Sequence, residues 1–286
     1  MNIDRFISER KALGYSQSEL AQGICTQATL SKFENNGQIP KLTILSQLCQ
    51  RLQLPLSELF PKSVIENTQI IEKMNTVEFL LITSEYEQAQ TLFQSIPLAN
   101  LEQSDRLRYH YLKGFLLLFQ DAPTLDVLYL FDQILLSEEA VQKPIFKLLA
   151  YTGIGMIFAN QSEYTKADFY FDKVLEQIYD FPMHSLEDTW RVLHIVFQAG
   201  LFFAQKKELT ISNALLTYAI TICSDNHVTY YLARAALQLA KNAIANQEDA
   251  RHILELIYDA RAYSKINRNQ IALNELQLME QSITQL

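Results

Sequence analysis

The sequence predicts an all-α protein in two parts: a small N-terminal bundle of short helices and a longer array of stacked helix pairs. Three observations predict it. Only 7 Gly and 7 Pro occur in 286 residues, too few for the many tight turns of a sheet protein. Apolar residues recur at helical spacing, three and four apart. A Tyr-x-x-Ala-x-x-x-Phe pattern also appears twice, at Tyr86, Ala89 and Phe93 and again at Tyr164, Ala167 and Phe171.

Composition narrows the class. With 49% hydrophobic and 20% charged residues, the chain can bury one large core or two unequal ones. Cys25, Cys49 and Cys223 are widely spaced and form no C-x-x-C pair, which suggests neither a disulfide framework nor a zinc site and fits a reducing compartment. The N-terminus lacks an apolar signal core. The longest greasy run, around Phe115–Phe119, is far short of the roughly 20 residues that span a bilayer. A soluble, cytoplasmic protein with no membrane partner is expected. Net charge is −8, but it is unevenly spread: residues 1–62 carry seven Lys/Arg against five Asp/Glu, and the remainder is strongly acidic. Such asymmetry suits a chain with one end on phosphate.

Five short elements can be read in the first sixty residues. Ile3, Phe6, Ile7 and Leu13 place apolar groups on one face of a first helix that Gly14 ends. Ser16 caps a second helix, with Glu19 completing a capping box and Leu20 and Ala21 facing inward. Gly23 begins a turn. Thr26 then caps a third helix, Gln27–Asn35, with Leu30 and Phe33 buried. A fourth helix follows Pro40 and carries Leu42, Leu45, Leu48 and Leu52, and a last turn spans Pro55–Phe60. Two short helices around a Gly-containing turn make a helix-turn-helix. The third helix offers Gln27, Ala28, Thr29, Ser31 and Lys32, small or polar types suited to base edges in a major groove. Gln17, Asn36 and Lys41 are placed to reach phosphates.

The pattern Ser16-Gln17-x-x-Leu20-Ala21, Leu30-Ser31-x-x-Glu34-x-x-Gly37-x-x-Pro40, Leu45-x-x-Leu48 and Leu59-Phe60 closely resembles the Xre/Cro-type helix-turn-helix family. The resemblance implies sequence-specific binding of a palindromic operator in double-stranded DNA by a homodimer, read by helix Gln27–Asn35. Phe33 and Cys25 depart mildly from the family pattern. Cys25 is expected to pack rather than react.

Beyond residue 62 the helical pattern repeats. The two Tyr-Ala-Phe copies lie 78 residues apart, about two units of a repeat somewhat longer than the ~34 residues of a tetratricopeptide. Tyr151, Ile154, Gly155, Phe158, Ala167 and Phe171 resemble the tetratricopeptide signature. In that scheme Gly155 and Ala167 let paired helices approach, while Tyr151, Phe158 and Phe171 fill the gap to the next pair. Looser units run through Tyr111–Phe131, Val196–Tyr218 and Leu232–Ala250, with a terminal helix near Asn269–Ile283. Five pairs and a cap are expected, forming a right-handed tetratricopeptide-like superhelix. The expected domains are 1–62, a DNA-binding head, and 63–286, a ligand-sensing and dimerisation array, with Pro61-Lys62-Ser63 as the hinge.

A concave inner face suits an extended peptide. By the repeat family's geometry it carries Thr152, Met156 and Asn160, then Arg108, Tyr111 and Phe115. Continuing along the array it carries His194, Phe197, Gln198 and Gln205, then Tyr230, Arg234 and Lys241. Asn and Gln each offer a peptide backbone a donor and an acceptor, and Arg234 or Lys241 could receive a carboxylate. The layout resembles the peptide-pheromone receptors of Gram-positive bacteria, the Rgg and PlcR group, and implies a short signalling peptide as ligand. A protein partner or another effector on the same face, or a scaffold that no longer reads DNA, are the alternatives. No cofactor, metal or enzymatic activity is expected. The histidines (His110, His184, His194, His227, His252) show no ligand spacing, and no Gly-rich phosphate loop is present.

Overall fold

The computed structural model describes residues 1–59, 62–98 and 101–284. Among these are sixteen α-helices, one 3-10 turn and no strand. The chain divides into two compact units, Met1–Lys73 and Met74–Leu286. This boundary lies past the expected one at Lys62 because Lys62 and Ser63 already belong to a long helix. Phe60 and Pro61 lie outside the described residues.

The first unit holds α1 (Ile3–Ala12), α2 (Gln17–Ala21), α3 (Gln27–Asn36), α4 (Leu42–Arg51) and the 3-10 turn Leu56–Leu59. Phe6, Leu20, Leu30, Phe33, Leu45, Leu48, Leu52 and Leu59 form its core, with Phe6 and Phe33 edge to face at 5.1 Å. The caps are as the sequence dictates. Ser16 and Glu19 make a reciprocal capping box, Thr26 caps α3, and Gly37 leaves α3 with φ 69°, a left-handed conformation in which glycine carries no steric penalty. Leu13, expected inside, is 48% exposed, because α1 ends at Ala12 and Leu13 is its C-cap. The half-buried Cys25 packs against the core, and burial raises its thiol pKa.

Helix α5 (Lys62–Ile82) carries the chain into the second unit. It is followed by α6 (Tyr86–Phe93), α7 (Gln103–Leu118), α8 (Thr124–Leu135), the short α9 (Glu139–Gln142), α10 (Pro144–Asn160) and α11 (Tyr164–Ile178). The array continues with α12 (Leu186–Gln205), α13 (Leu209–Asp225), α14 (Leu232–Ala245), α15 (Ala250–Ile266) and α16 (Gln270–Thr284). Pairs α7/α8, α10/α11, α12/α13 and α14/α15 each pack side by side, and α16 caps the last.

Twelve consecutive residues of α12, Thr189 to Gly200, are buried, so this stretch of the helix has no face exposed to bulk solvent. Two aromatic wedges set the close approaches. Phe131 of α8 sits where a Cβ on Gly153 would lie 2.2 Å from its ring, and one on Gly114 2.8 Å. Phe171 of α11 fills the same role at Gly155 and stacks on Phe202 of α12 at 4.3 Å. Tyr151 and Phe158 do not bridge to the next pair as expected. Both are only half-buried, with their rings against Tyr170 of their own partner helix.

Seven helices of this unit end in the same way. Ser84, Asp121, Ser162, Lys207, His227, Gln247 and Arg268 all have positive φ, between 52° and 66°. At Ser162, its own N–H bonds the carbonyl of Ala159 at 3.0 Å, and the Glu163 N–H bonds that of Phe158 at 2.9 Å. The same two bonds recur at the other six, the Schellman arrangement that satisfies orphan carbonyls at a helix end. Among the described residues no helix is long and apolar enough to cross a membrane.

Candidate DNA interface and ligand groove

On the first unit a polar relay fixes the face of α3. Arg10 and Glu34 form a bidentate pair, Nε to Oε1 at 2.7 Å and Nη2 to Oε2 at 2.8 Å. Arg10 also donates to the Tyr15 carbonyl. Both side chains are almost completely enclosed. The second Glu34 oxygen accepts from Gln17 Nε2 at 2.8 Å, and Gln17 Oε1 accepts from Gln27 Nε2 at 2.8 Å. Gln17 is thus held at both ends of its amide, and Gln27 is tied through its nitrogen while its Oε1 stays open. Such pre-ordering lowers the entropy lost on binding.

Around this pair Ala28, Lys32, Asn36 and Lys41 are exposed, and Thr29 and Ser31 partly so. Two of the expected groups are engaged locally. Thr29 Oγ1 lies 2.8 Å from Thr26 Oγ1, and Ser31 Oγ accepts from Asn35. Of the basic residues, Arg5 pairs with Glu9 and Glu58 and Arg51 bonds the carbonyls of Leu20 and Gln22 at the end of α2. Lys11, Lys32 and Lys41 are exposed to solvent. The sequence reading missed Arg10 and Glu34 as the foundation of the interface. The signal was available, since Glu34 follows Phe33 on the inner side of α3, where a carboxylate requires a basic partner.

On the second unit the structure separates the residues expected on one concave face. The C-terminal half of α5 covers part of that face. Glu78, fully buried, bonds Arg191 Nε at 2.7 Å and Arg108 Nε at 2.7 Å, and Arg108 also reaches Asn75. Burial works against the charge on Arg191, but Glu78 outweighs it and the pKa is raised. Phe79 packs edge to face on Tyr230 at 5.3 Å, and Arg234 caps α5 through the Ile82 carbonyl and Ser84.

Tyr111, Phe115, Thr152, His194 and Phe197 are correspondingly buried and are core rather than ligand-facing. Thr152 bonds its own helix at Leu148. His194 Nδ1 meets the Tyr231 hydroxyl at 2.9 Å, its ring standing on Phe115 at 4.6 Å. Burial, with Arg234 adding to it, pushes the His194 pKa down to about 3, while burial pushes Tyr231 up to about 12.

The remaining expected residues converge. Met156, Asn160, Gln198 and Gln205 line a cavity of about 330 Å³ together with Leu118, Phe119 and Phe202. A second cavity of about 560 Å³ shares Leu201 and Gln205 with it and adds Lys207, Gln238 and Lys241. The two cavities adjoin at Leu201 and Gln205, along the C-terminal half of α12, and are called the α12 groove. Gln198 is only 7% exposed, and among the described residues its amide makes no hydrogen bond. The amide atoms themselves are not sealed from solvent, so they can bond water or a group that enters the cavity. Gln205 donates weakly, to the Ala159 carbonyl at 3.3 Å. Leu201, Phe202, Lys207 and Gln238 were not anticipated, because which face of α12 stays open depends on how far the array curls.

Residues 7–59 match the helix-turn-helix family model. No curated protein matches the sequence significantly. Over nearly its whole length the chain is similar in fold to solved structures at low sequence identity. PlcR of Bacillus thuringiensis, in complex with the peptide PapR7 and DNA, has 15% identity and a TM-score of 0.59, with 98% of each chain covered. ComR of S. thermophilus, in complex with DNA and its signalling peptide ComS, has 14% identity and a TM-score of 0.61, again with 98% of each covered. ComR of Streptococcus vestibularis with the signalling peptide XIP has 14% identity and a TM-score of 0.58, covering 98% of this chain and 97% of that one.

Proposed function

We propose that the chain is a transcription regulator that reads a specific duplex sequence with its helix-turn-helix and binds a short signalling peptide in the α12 groove. The observation that carries this reading is the groove itself. Asn160, Gln198 and Gln205, three amides from two helices, meet at one apolar-walled cavity, the mixture that holds a peptide backbone and seats its side chains. The helix-turn-helix match and the ordered Gln17–Gln27 pair support DNA as the target of the other unit. The neighbours in fold were solved with DNA and signalling peptides bound, which favours a peptide over other effectors.

Two heads on one chain pair would read a palindrome with half-sites about 34 Å apart, and homodimerisation is part of the proposal. The contacts proposed for DNA are Gln17, Gln27, Ala28, Thr29, Ser31, Lys32, Asn36 and Lys41. Those proposed for the ligand are Met156, Asn160, Gln198, Gln205 and Lys241.

The test selects duplexes from a random pool with the full-length protein. A palindromic site is expected, and Gln27→Ala with Thr29→Ala is expected to lose it by roughly 2 kcal/mol or more while the circular dichroism stays unchanged. Equal affinity in that variant would remove α3 as the reading helix.

A further inference from the structure

Along the groove, charge is distributed unevenly. At the end lined by Leu118, Phe119 and Asn160, the one charged lining residue is Asp121. At the end lined by Leu209 and Ala245, the charged lining residues are Lys207 and Lys241. The backbone reinforces the first end: α7 finishes at Leu118 and α10 at Asn160, so two helix C-termini bring partial negative charge there. At the second end the C-terminus of α12 is followed at once by the N-terminus of α13 at Leu209. Ala245, the last residue of α14, brings a further helix C-terminus to this end, so the backbone adds no net positive charge and the lysines alone supply it. Neighbouring Lys206 is neutralised by Asp168 and Glu208. Lys241 pairs with Glu275, both about 40% exposed, a pair that solvent keeps weak and exchangeable. Lys207 is exposed and makes no ion pair among the described residues.

The middle of the groove sets the scale. Gln198, Leu201, Phe202 and Gln205 lie at i, i+3, i+4 and i+7 of α12, on one face. The rise from Gln198 to Gln205 is about 10 Å, the length of about three extended residues. Between the two glutamines Met156, Leu201 and Phe202 offer an apolar seat.

We propose that the groove binds its peptide in one direction only. The free carboxylate terminus lies between Lys207 and Lys241, the free ammonium terminus lies beside Asp121, and one apolar side chain rests on Met156, Leu201 and Phe202. The amides of Gln198 and Gln205 bond the peptide backbone on either side of that residue. This rests on the peptide reading above and adds the requirement that both termini be unmodified, so the ligand is a cleaved product and not an internal loop of a larger protein.

The experiment uses full-length protein and three pools of random heptapeptides: one with both termini free, one amidated at the C-terminus and one acetylated at the N-terminus. Bound peptides are recovered by gel filtration and identified by mass spectrometry. The free pool is expected to be enriched at least tenfold over both blocked pools, with an aliphatic or aromatic residue favoured at one central position. Lys207→Gln with Lys241→Gln is expected to bring the free pool down to the amidated level. Asp121→Asn is expected to bring it down to the acetylated level. Equal enrichment of all three pools overturns the directional proposal and leaves the peptide reading standing. If the lysine variant instead removes sensitivity to acetylation, the direction is reversed and the proposal fails. If no pool is enriched, the peptide reading falls and this proposal with it.

Discussion

Among single side chains, Glu34 couples the stability of the head to the proposed reading face, because both its oxygens pair with the enclosed Arg10 and one of them, Oε2, also holds Gln17. Removing one partner of such a pair strands the other in a low-dielectric site. Glu34→Ala is therefore expected to destabilise the head by about 3–5 kcal/mol and to weaken operator binding, read by urea denaturation and by titration on the selected duplex. His194 makes a different prediction. Its folded pKa of about 3 lies below the value near 6.5 of an unfolded histidine, so on acidification the unfolded chain takes up this proton first. Stability should fall as pH drops from about 6.5 towards 3, by a few kcal/mol from this group. His194→Gln should flatten that dependence in denaturation midpoints measured across the window. A slope unchanged by the substitution would show that other groups set it. Of the residues proposed for the two sites, Gln17, Gln27, Asn160, Gln198 and Gln205 were legible as positions on a given helix face because motif spacing alone fixes it. Tyr111, Phe115 and His194 were not, since their burial depends on α5 returning to meet α12, contacts more than a hundred residues apart in the chain.

For the helices and their ends, the capping chemistry was readable and the repeat turns were not. Ser16, Glu19 and Thr26 cap where a local rule puts them, because capping needs only the few residues around a helix start. The Schellman turns gave no such signal, since they use serine, aspartate, lysine, histidine, glutamine and arginine where glycine is the usual choice. Each side chain there carries a steric penalty, of order 1 kcal/mol. Ser162→Gly, in the best-defined repeat, is expected to stabilise the chain by up to about 1 kcal/mol, less what glycine costs through the unfolded state. Thermal unfolding checks it, and a lowered midpoint would mean that the serine side chain contributes more than its backbone strain costs. The pairing of α10 with α11 was legible from Gly155 and Ala167. The role of Gly153 against Phe131 was not, because that contact is made to the pair before.

For the molecule as a whole, the charge reading survives in a reduced form. Arg5, Arg10 and Arg51 are committed to contacts inside the head, which leaves Lys11, Lys32 and Lys41 as exposed cations among its described residues. Two heads would then neutralise about six phosphates at most, giving a slope of log affinity against log salt no steeper than about −5. Titration of the selected operator over a range of potassium chloride tests this. A markedly steeper slope would require phosphate contacts beyond those of Lys11, Lys32 and Lys41. A shallow slope also implies that neutral hydrogen bonds from α3, rather than bulk attraction, make up much of the specific affinity.

The glycine-free turns bear on how such a chain evolves. A turn that depends on glycine ties the fold to one residue type at every corner. The seven turns of the second unit are closed by backbone hydrogen bonds between main-chain atoms, and they already accept six different side chains. Substitutions at these corners change stability by small steps rather than breaking the array. Lineages can therefore drift at each turn, and in the groove residues beside Asp121 and Lys207, while the scaffold persists. Similarity of fold at 15% identity is the latitude in sequence that such corners permit.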